Sequence, residues 1–521
     1  MNGARSLLTA LVNEGVDVCF SNPGTSEMHF VAALDDVPDM RGILALFEGV
    51  ATGAADGYGR VTGRPASVLL HLGPGLGNGL ANLHNARRAR TPLLAVVGDH
   101  ALSHGRFDAP LASDITSIAT TCSVAVTTSM TSNDVAADAV DAVRAAQGTP
   151  SGVSTLILPA DVSWGECSEG GPSRPRTQSS ARTPASDATV SAIANKMRAA
   201  AKPVVLVGGR AAQGAALTAA ARCAEAVKAT LMVETFPAIT DRGAGTPQVT
   251  RLSYFGEFAT AQLEGVDLLV LVDAASPAAF FAYPGASSDL VPPGTEVISL
   301  TDGGDHQGSL ERLADALGAA PLPQAINPLA IAERPTGVLN ASSLAAAVAA
   351  TLPEGTIVVD ESNTGGIHLA GATAGAPPHQ WMTLTGGAIG YGLPAAVGAA
   401  VGRPESRVLC LESDGSAMYT FQALWTMARE ELDVTVVILS NRSYAILNLE
   451  LARVGAVADG SRAAAMLELT RPEIGFVSLS HAMGVPALRA TTAEELTAAL
   501  EASYAQAGPM LIEAVLPPGL G

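Results

Sequence analysis

Two polar residues close consecutive apolar runs in the last third of the chain. Arg407–Ser413 (RVLCLES) reads as a buried strand and is followed by Asp414-Gly415-Ser416. Val434–Ser440 reads as the next strand and is followed by Asn441-Arg442-Ser443-Tyr444. A helix fits Phe421–Glu431 between them, which makes one βαβ unit. Ligands of open parallel sheets sit beyond the carboxyl ends of the strands. A carboxylate and an amide arriving there on neighbouring strands offer two hard oxygens to one crevice. That pair suits Mg²⁺, which prefers octahedral oxygens and takes several of them from substrate phosphates. Gly415 permits close backbone approach, and Ser416 sits where a helix N-terminus could receive phosphate. Asp-Gly and Asn are also ordinary turn and cap residues; it is the pairing of two strand ends that favours a ligand site.

Three further residues could carry proton chemistry. Glu48 ends the apolar run Gly42–Phe47 just before an Ala- and Gly-rich helix, which predicts a partly desolvated carboxylate. His71 ends the strand Ser67–Leu70 before Leu72-Gly73-Pro74-Gly75-Leu76-Gly77-Asn78. Asn78 stands where GxGxxG needs its third glycine, so a dinucleotide-dependent dehydrogenase has no fingerprint here. A neutral imidazole at a strand's carboxyl end can pass protons near neutral pH. Thr25, in Asn22-Pro23-Gly24-Thr25-Ser26-Glu27, places a hydroxyl on a turn. His100 and His104, after the strand Leu93–Val97, are loop histidines of the kind that is usually solvated.

Positioning these residues takes a large α/β chain. At 521 residues, about 150 per domain gives three domains or four. Apolar runs such as Thr155–Leu158, Val204–Val207, Leu268–Val272 and Thr356–Val359 alternate with Ala-rich helical stretches, as in buried parallel sheets. Residues 166–187 and 318–337 read as linkers and divide the chain into 1–165, 188–320 and 338–521. Hydrophobic residues make up 48% and charged residues 15%, which excludes a disordered chain. The net charge of −19 argues against nucleic acid as a partner. Five scattered cysteines with no CxxC indicate neither a zinc site nor a disulfide framework and fit a reducing cytoplasm. No signal peptide is expected. The uncharged stretch 362–402 is too rich in Gly and Pro to span a membrane.

Taken together, the motifs resemble the thiamine diphosphate (ThDP) enzymes. Their Gly-Asp-Gly…Asn-Asn signature stands here as Ser413-Asp414-Gly415 and Ser440-Asn441. Asn22–Glu27, Phe47-Glu48-Gly49, Ala54–Tyr58, Gly73-Pro74-Gly75 and Gly386–Gly390 follow in family order, and the subgroup most similar is that of acetolactate synthase large subunits and benzoylformate decarboxylases. The resemblance covers essentially the whole chain. It implies three open, mainly parallel-sheet domains: pyrimidine-binding, central and diphosphate-binding. It implies metal ligation by Asp414, Asn441 and the Ser443 carbonyl, and cofactor contacts from Asn363, Thr364, Gly387, Ile389, Gly415, Ser416 and Tyr444. Glu48 would hold the aminopyrimidine in its imino form so that the thiazolium C2 proton can leave; the cofactor then serves as electron sink. Thr25 and His71 would contact the substrate.

The resemblance implies ThDP- and Mg²⁺-dependent decarboxylation of a 2-oxo acid, with release of an aldehyde or ligation to a second carbonyl. Alternatives are acetolactate synthase-type condensation of pyruvate and a non-catalytic ThDP-binding paralogue; the intact Glu48, Asp414 and Asn441 oppose the latter. The second active-site histidine of the decarboxylases is missing from Ser276–Gly285, which offers Phe280, Phe281 and Tyr283 instead. With Leu447, Leu449 and Leu451 these suggest an apolar pocket for a branched or aromatic substrate. Flavin is doubtful: Gly208-Gly209-Arg210 is compatible with a nucleotide-binding turn and no more. Glu48 and Asp414 fall in different domains, and the resemblance implies that one ThDP lies between the pyrimidine domain of one subunit and the diphosphate domain of another, so a homodimer or homotetramer is expected.

Overall fold

A computed structural model describes residues 1–167, 182–300, 304–456 and 461–519. Most of the linker expected at 166–187 lies outside the described residues. Residues 319–337 carry no helix or ladder strand, only a bridge between Ile326 and Pro247.

Three sheets carry the architecture. The first has six parallel strands in the order Arg41–Leu44, Val18–Ser21, Ala66–His71, Leu93–Asp99, Val153–Pro159, Ser123–Thr128. The second has five parallel strands, with Pro203–Val207 between Thr230–Val233 and Leu268–Val272. The third runs Ala487–Ala490, Met510–Val515, Val434–Ser440, Val408–Ser413, Ile357–Glu361, His379–Thr383, and is closed at its edge by Ile239–Arg242. That last strand comes from the middle of the chain and pairs antiparallel, with Trp381 opposite Thr240. The central strands are buried along all or nearly all of their length, as parallel sheets covered on both faces require.

Helices Glu48–Thr62 and Gly392–Gly402 bind the first sheet to the third. Their glycines make the approach possible. A Cβ on Gly57 would come within 2.2 Å of the Ala395 carbonyl oxygen, and one on Gly398 within 1.8 Å of the Ala54 oxygen. Such spacing excludes any side chain there, so the two helices pack backbone to backbone. One continuous core runs from Phe20, Val68 and Val97 to Val359, Cys410 and Ile438. Within that junction the buried Arg60 pairs with Asp56 at 2.6 Å and donates to the Thr383 carbonyl at 2.7 Å.

Two local expectations need correction. The apolar run Gly42–Phe47, which reads as a strand, is a strand only as far as Leu44, and Ala45-Leu46-Phe47 lead into the helix that Glu48 opens. The helix expected over Phe421–Glu431 is split. It begins earlier, as Asp414–Thr420, and resumes as Ala423–Arg429.

Candidate active site

The first cluster of site residues lies at the carboxyl edge of the first sheet. Strand Ala66–His71 delivers His71, and the chain turns at once into helix Leu72–Ala89 through Leu72, at φ +50°. A non-glycine residue there is strained, and such strain gathers at functional turns. His71 Nδ1 lies 2.8 Å from Glu27 Oε2 and 3.2 Å from Ser26 Oγ. Glu27 is 1% exposed. Its Oε2 also accepts the Gly24 N–H at 2.8 Å, and Ser26 Oγ donates to its other oxygen. Gly24 and Gly98 are required for this fit: a Cβ on the first would meet the His71 ring at 2.2 Å, and one on the second Glu27 Oε1 at 1.8 Å. Thr25 opens the single turn Thr25–Glu27 and is exposed beside the pair.

Glu48 belongs to the same cluster. It is 7% exposed and its Oε2 accepts from Asn78 Nδ2 at 3.1 Å. Gly75 separates it from the histidine: a Cβ there would lie 3.3 Å from His71 Cβ and 3.4 Å from Glu48 Oε1. Two proton-carrying groups thus flank one glycine.

The second cluster lies at the carboxyl edge of the third sheet. Burial pushes the Asp414 carboxyl above the usual carboxylate range, even though it accepts the N–H of Gly415 at 2.8 Å and of Arg442 at 2.6 Å. Asn441 is also buried, and its side-chain oxygen accepts the Ser443 N–H at 3.0 Å. Asn363, at φ +47°, donates to Ser413 Oγ at 3.0 Å and to Ser416 Oγ at 3.2 Å. Thr364 follows in the same one-turn helix, Asn363–Gly366. The Tyr444 ring lies over Gly415, where a Cβ would meet it at 2.4 Å. The sequence places Asp414, Asn441, Ser443, Asn363 and Ser416 on three segments, and the fold gathers them at one rim. No trio of His, Cys, Asp and Glu side chains forms a metal cage among the described residues. A divalent ion here would therefore share one carboxylate, an amide and backbone oxygen with a bound diphosphate. The buried, under-compensated Asp414 fits such an ion, whose charge would reverse its desolvation cost.

Between the clusters lies the loop that carries Gly387 and Ile389. Gly387 has φ +72° with open space around its Cβ position, and Ile389 is partly buried against the core. Helix Leu72–Ala89 holds this loop: Asn85 Nδ2 donates to the Ala388 carbonyl at 2.8 Å and Asn82 Nδ2 to the Gly390 carbonyl at 3.2 Å. From the other side Glu361 accepts three backbone N–H groups, of Gly390, Tyr391 and Gly392, at 2.8, 2.7 and 2.6 Å. Glu361 is buried next to the fully buried Glu412 on the neighbouring strand. Burial raises the Glu361 pKa to about 7, and burial together with the neighbouring Glu361 pushes the Glu412 carboxyl well above the usual carboxylate range. Sequence reasoning gave Glu27, Glu361 and Glu412 no role. The available signal for Glu361 and Glu412 was a charged residue inside an otherwise apolar strand.

The apolar segments also meet. Tyr283 Oη donates to Glu450 Oε2 at 2.7 Å, and the Arg453 guanidinium sits 4.3 Å from the Tyr283 ring centre. This ties the segment of Phe280 and Phe281 to helix Ala445–Arg453, which bears Leu447, Leu449 and Leu451. Phe280, Phe281 and Leu447 stay exposed at 42%, 59% and 44%. The His100 and His104 rings meet at a tilt of 52°, with centres 5.2 Å apart, and have no described bond to Glu48 or His71. A flavin does not fit the Gly208-Gly209-Arg210 turn. The backbone N–H groups that would meet a diphosphate are taken, that of Gly209 by Glu234 at 3.0 Å and that of Arg210 by Asp273 at 2.8 Å.

Profiles described as "Thiamine pyrophosphate enzyme, N-terminal TPP binding domain" and "Thiamine pyrophosphate enzyme, C-terminal TPP binding domain" match residues 1–115 and 363–514. The chain belongs to the thiamine pyrophosphate (ThDP) enzymes. Among relatives of this ThDP enzyme, a Mycobacterium tuberculosis protein named "Putative acetolactate synthase large subunit IlvX" is 56% identical over 100% of both chains. Benzoylformate decarboxylase of Pseudomonas aeruginosa is 30% identical over 96% of both. The structure of a ThDP-dependent 4-hydroxybenzoylformate decarboxylase from Rhodococcus jostii RHA1 superposes with a TM-score of 0.86 at 26% identity, covering 100% of each chain. The protein is a ThDP-dependent enzyme of the acetolactate synthase and benzoylformate decarboxylase type, with a three-sheet α/β fold. Among the described residues no helix is long and apolar enough to cross a membrane.

Proposed function

We propose that this enzyme decarboxylates a 2-oxo acid with a branched or aromatic side chain, using ThDP and Mg²⁺, and releases an aldehyde or passes the fragment to a second carbonyl. The observation that carries this reading is His71, anchored through Nδ1 to the buried Glu27, with Thr25 beside it. Bound ThDP supplies a carbon nucleophile and an electron sink. The chain supplies the rest. Glu48, held by Asn78, exchanges a proton with the aminopyrimidine. Asp414, Asn441 and the Ser443 carbonyl hold the ion, with Asn363, Thr364, Gly415, Ser416 and Tyr444 around the diphosphate. Thr25 orients the substrate carboxylate. His71 presents Nε2 to the reacting carbon and delivers the proton that replaces CO₂. Exposed Phe280, Phe281 and Leu447 support an apolar pocket, worth about 25 cal/mol per Å² buried.

The two clusters are not joined by any described hydrogen bond or ion pair, which supports a site completed between subunits of a dimer or dimer of dimers. The five unpaired cysteines support a cytoplasmic location. A panel of 2-oxo acids assayed for CO₂ release tests the reading: benzoylformate or a branched 2-oxo acid should exceed pyruvate in kcat/KM. Pyruvate as the best substrate would return the protein to acetolactate synthesis, and no CO₂ from any member would leave a binding protein.

A further inference from the structure

The loop between strand His379–Thr383 and helix Gly392–Gly402 carries no helix or strand of its own. Ala388 and Ile389 stand in it between two glycines at positive φ, Gly387 at +72° and Gly390 at +89°. Glycine restricts the backbone least, so the position of this loop is set by what holds it from outside. Asn82 and Asn85 hold its carbonyls from the first domain, and Thr420 Oγ1 donates to the Gly390 carbonyl at 3.0 Å. The N–H groups of Gly390, Tyr391 and Gly392 go to one carboxylate: Glu361 Oε1 accepts the first, and Oε2 the other two.

That cap is an unusual one. The first N–H groups of a helix have no partner within it, and a serine, aspartate or asparagine just before the helix commonly serves them. Here the cap is a glutamate 2% exposed, delivered by a strand distant in the chain and standing in register with the buried Glu412. Burying a carboxyl beside another carries a desolvation cost that a local cap at the surface avoids. Gly392 leaves room for the pair: a Cβ there would lie 2.1 Å from Glu412 Oε2 and 3.2 Å from Glu361 Cβ. A distant cap does one thing that a local cap cannot, which is to join two parts of the site. Glu361 ends strand Ile357–Glu361, just before Asn363. Its carbonyl accepts from Ser413 Oγ at 3.0 Å, and Asn363 donates to that same hydroxyl at 3.0 Å and to Ser416 Oγ at 3.2 Å. The backbone of Glu361 thus belongs to the rim of the third sheet, while its side chain holds the loop of Gly387 and Ile389.

We infer that Glu361 is a positioning residue for the cofactor: it fixes the spacing between the rim formed by Asn363 and Ser416 and the loop that carries Gly387 and Ile389. The inference rests on the reading that these residues contact ThDP. The spacing holds only while both carboxylate oxygens accept. Glu361→Gln keeps the shape of the side chain and turns one acceptor into a donor. An amide oxygen kept on Tyr391 and Gly392 sets its NH₂ against the Gly390 N–H, and the anchor nearest Ile389 is lost.

Wild type, Glu361→Gln and Glu361→Asp are compared as full-length protein at about pH 8, where the wild-type carboxylate is ionised. Amide hydrogen exchange of residues 386–392 is followed in the apoenzyme, and ThDP affinity in the presence of Mg²⁺ by calorimetry. Exchange of the C2 proton is followed by NMR with ThDP saturating. In Glu361→Gln the loop amides should exchange about tenfold faster and ThDP should bind about tenfold more weakly, the scale of one lost hydrogen bond to a charged group. C2 exchange should slow by a similar factor at saturation. Glu361→Asp keeps the charge one methylene further back and should recover part of each loss. Should Glu361→Gln fail to fold, Glu361→Asp carries the test, with smaller changes in the same direction. Wild-type exchange in residues 386–392 of a folded variant would overturn the inference, as would a loosened loop with ThDP affinity and C2 exchange unchanged. Every measurement is made without a 2-oxo acid, so a failure of the decarboxylase reading shows itself separately, as absence of CO₂ from the substrate panel.

Discussion

Glu27 Oε2 and His71 Nδ1 lie 2.8 Å apart, with the carboxylate buried and the imidazole at the rim of the sheet. An ionised Glu27 fixes the ring with its proton on Nδ1 and leaves Nε2 as the nitrogen that exchanges protons with substrate. Glu27→Ala should lower kcat about 100-fold, as expected for a misplaced catalytic group, with ThDP affinity unchanged and Glu27→Gln recovering part of the loss. His71→Ala should slow aldehyde release more than CO₂ release. Single-turnover traces of both products separate the steps, and equal traces for variant and wild type would leave the pair structural.

Glu48→Gln should keep the fold and most of the ThDP affinity, since the amide still accepts from Asn78. Exchange of the ThDP C2 proton for deuterium should slow by on the order of 10²–10⁴-fold, the range of general acid–base catalysis. An unchanged exchange rate by NMR would remove Glu48 from the mechanism.

Asp414→Ala should abolish ThDP binding, and EDTA should do the same to the wild type, because the ion and diphosphate complete each other's ligand sets. Calorimetric titration with and without Mg²⁺ gives the answer; full affinity in either case would contradict the assignment.

Subunits should associate wherever activity is seen. Light scattering across a dilution series should show activity falling together with the dimer, and a fully active monomer would refute a shared site.

Glu361 gives a pH signature. Its folded pKa, near 7, lies above that of an unfolded glutamate. The folded state therefore holds a proton that the unfolded chain releases, so this stability is full below about pH 4.5 and is lost as pH rises through 7. The apoenzyme's Tm should fall between pH 5 and 8. Glu361→Gln should flatten that slope; an equally steep slope would place the titration elsewhere.

Much of this was legible in the sequence because parallel strands are apolar throughout, so a polar residue at their end stands out. Asp414, Asn441 and His71 were found that way. Glu27 was quoted only as part of a turn, because its burial depends on Gly98 in a strand far along the chain. Glu361, a charged residue in an otherwise apolar strand, shows no partner in the sequence, because its partners are backbone N–H groups of a loop whose position only the fold sets. The sequence places a helix N-terminus near Ser416 but does not give the extent of helix Asp414–Thr420, because Gly415 is a poor helix former; the buried Ala417 and Thr420 override that local preference. Strand Ile239–Arg242 is too short to carry a periodic signal.

That short strand bears on how the chain matures. Without it, the row of backbone groups from His379 to Thr383 would be a bare sheet edge, open to pairing with another chain. The ribosome delivers residues 239–242 well before residues 379–383, so the cover is already waiting when the edge emerges. A fragment starting at residue 338 would contain every proposed metal ligand and still lack its selvedge, and it should aggregate rather than fold as a free-standing module.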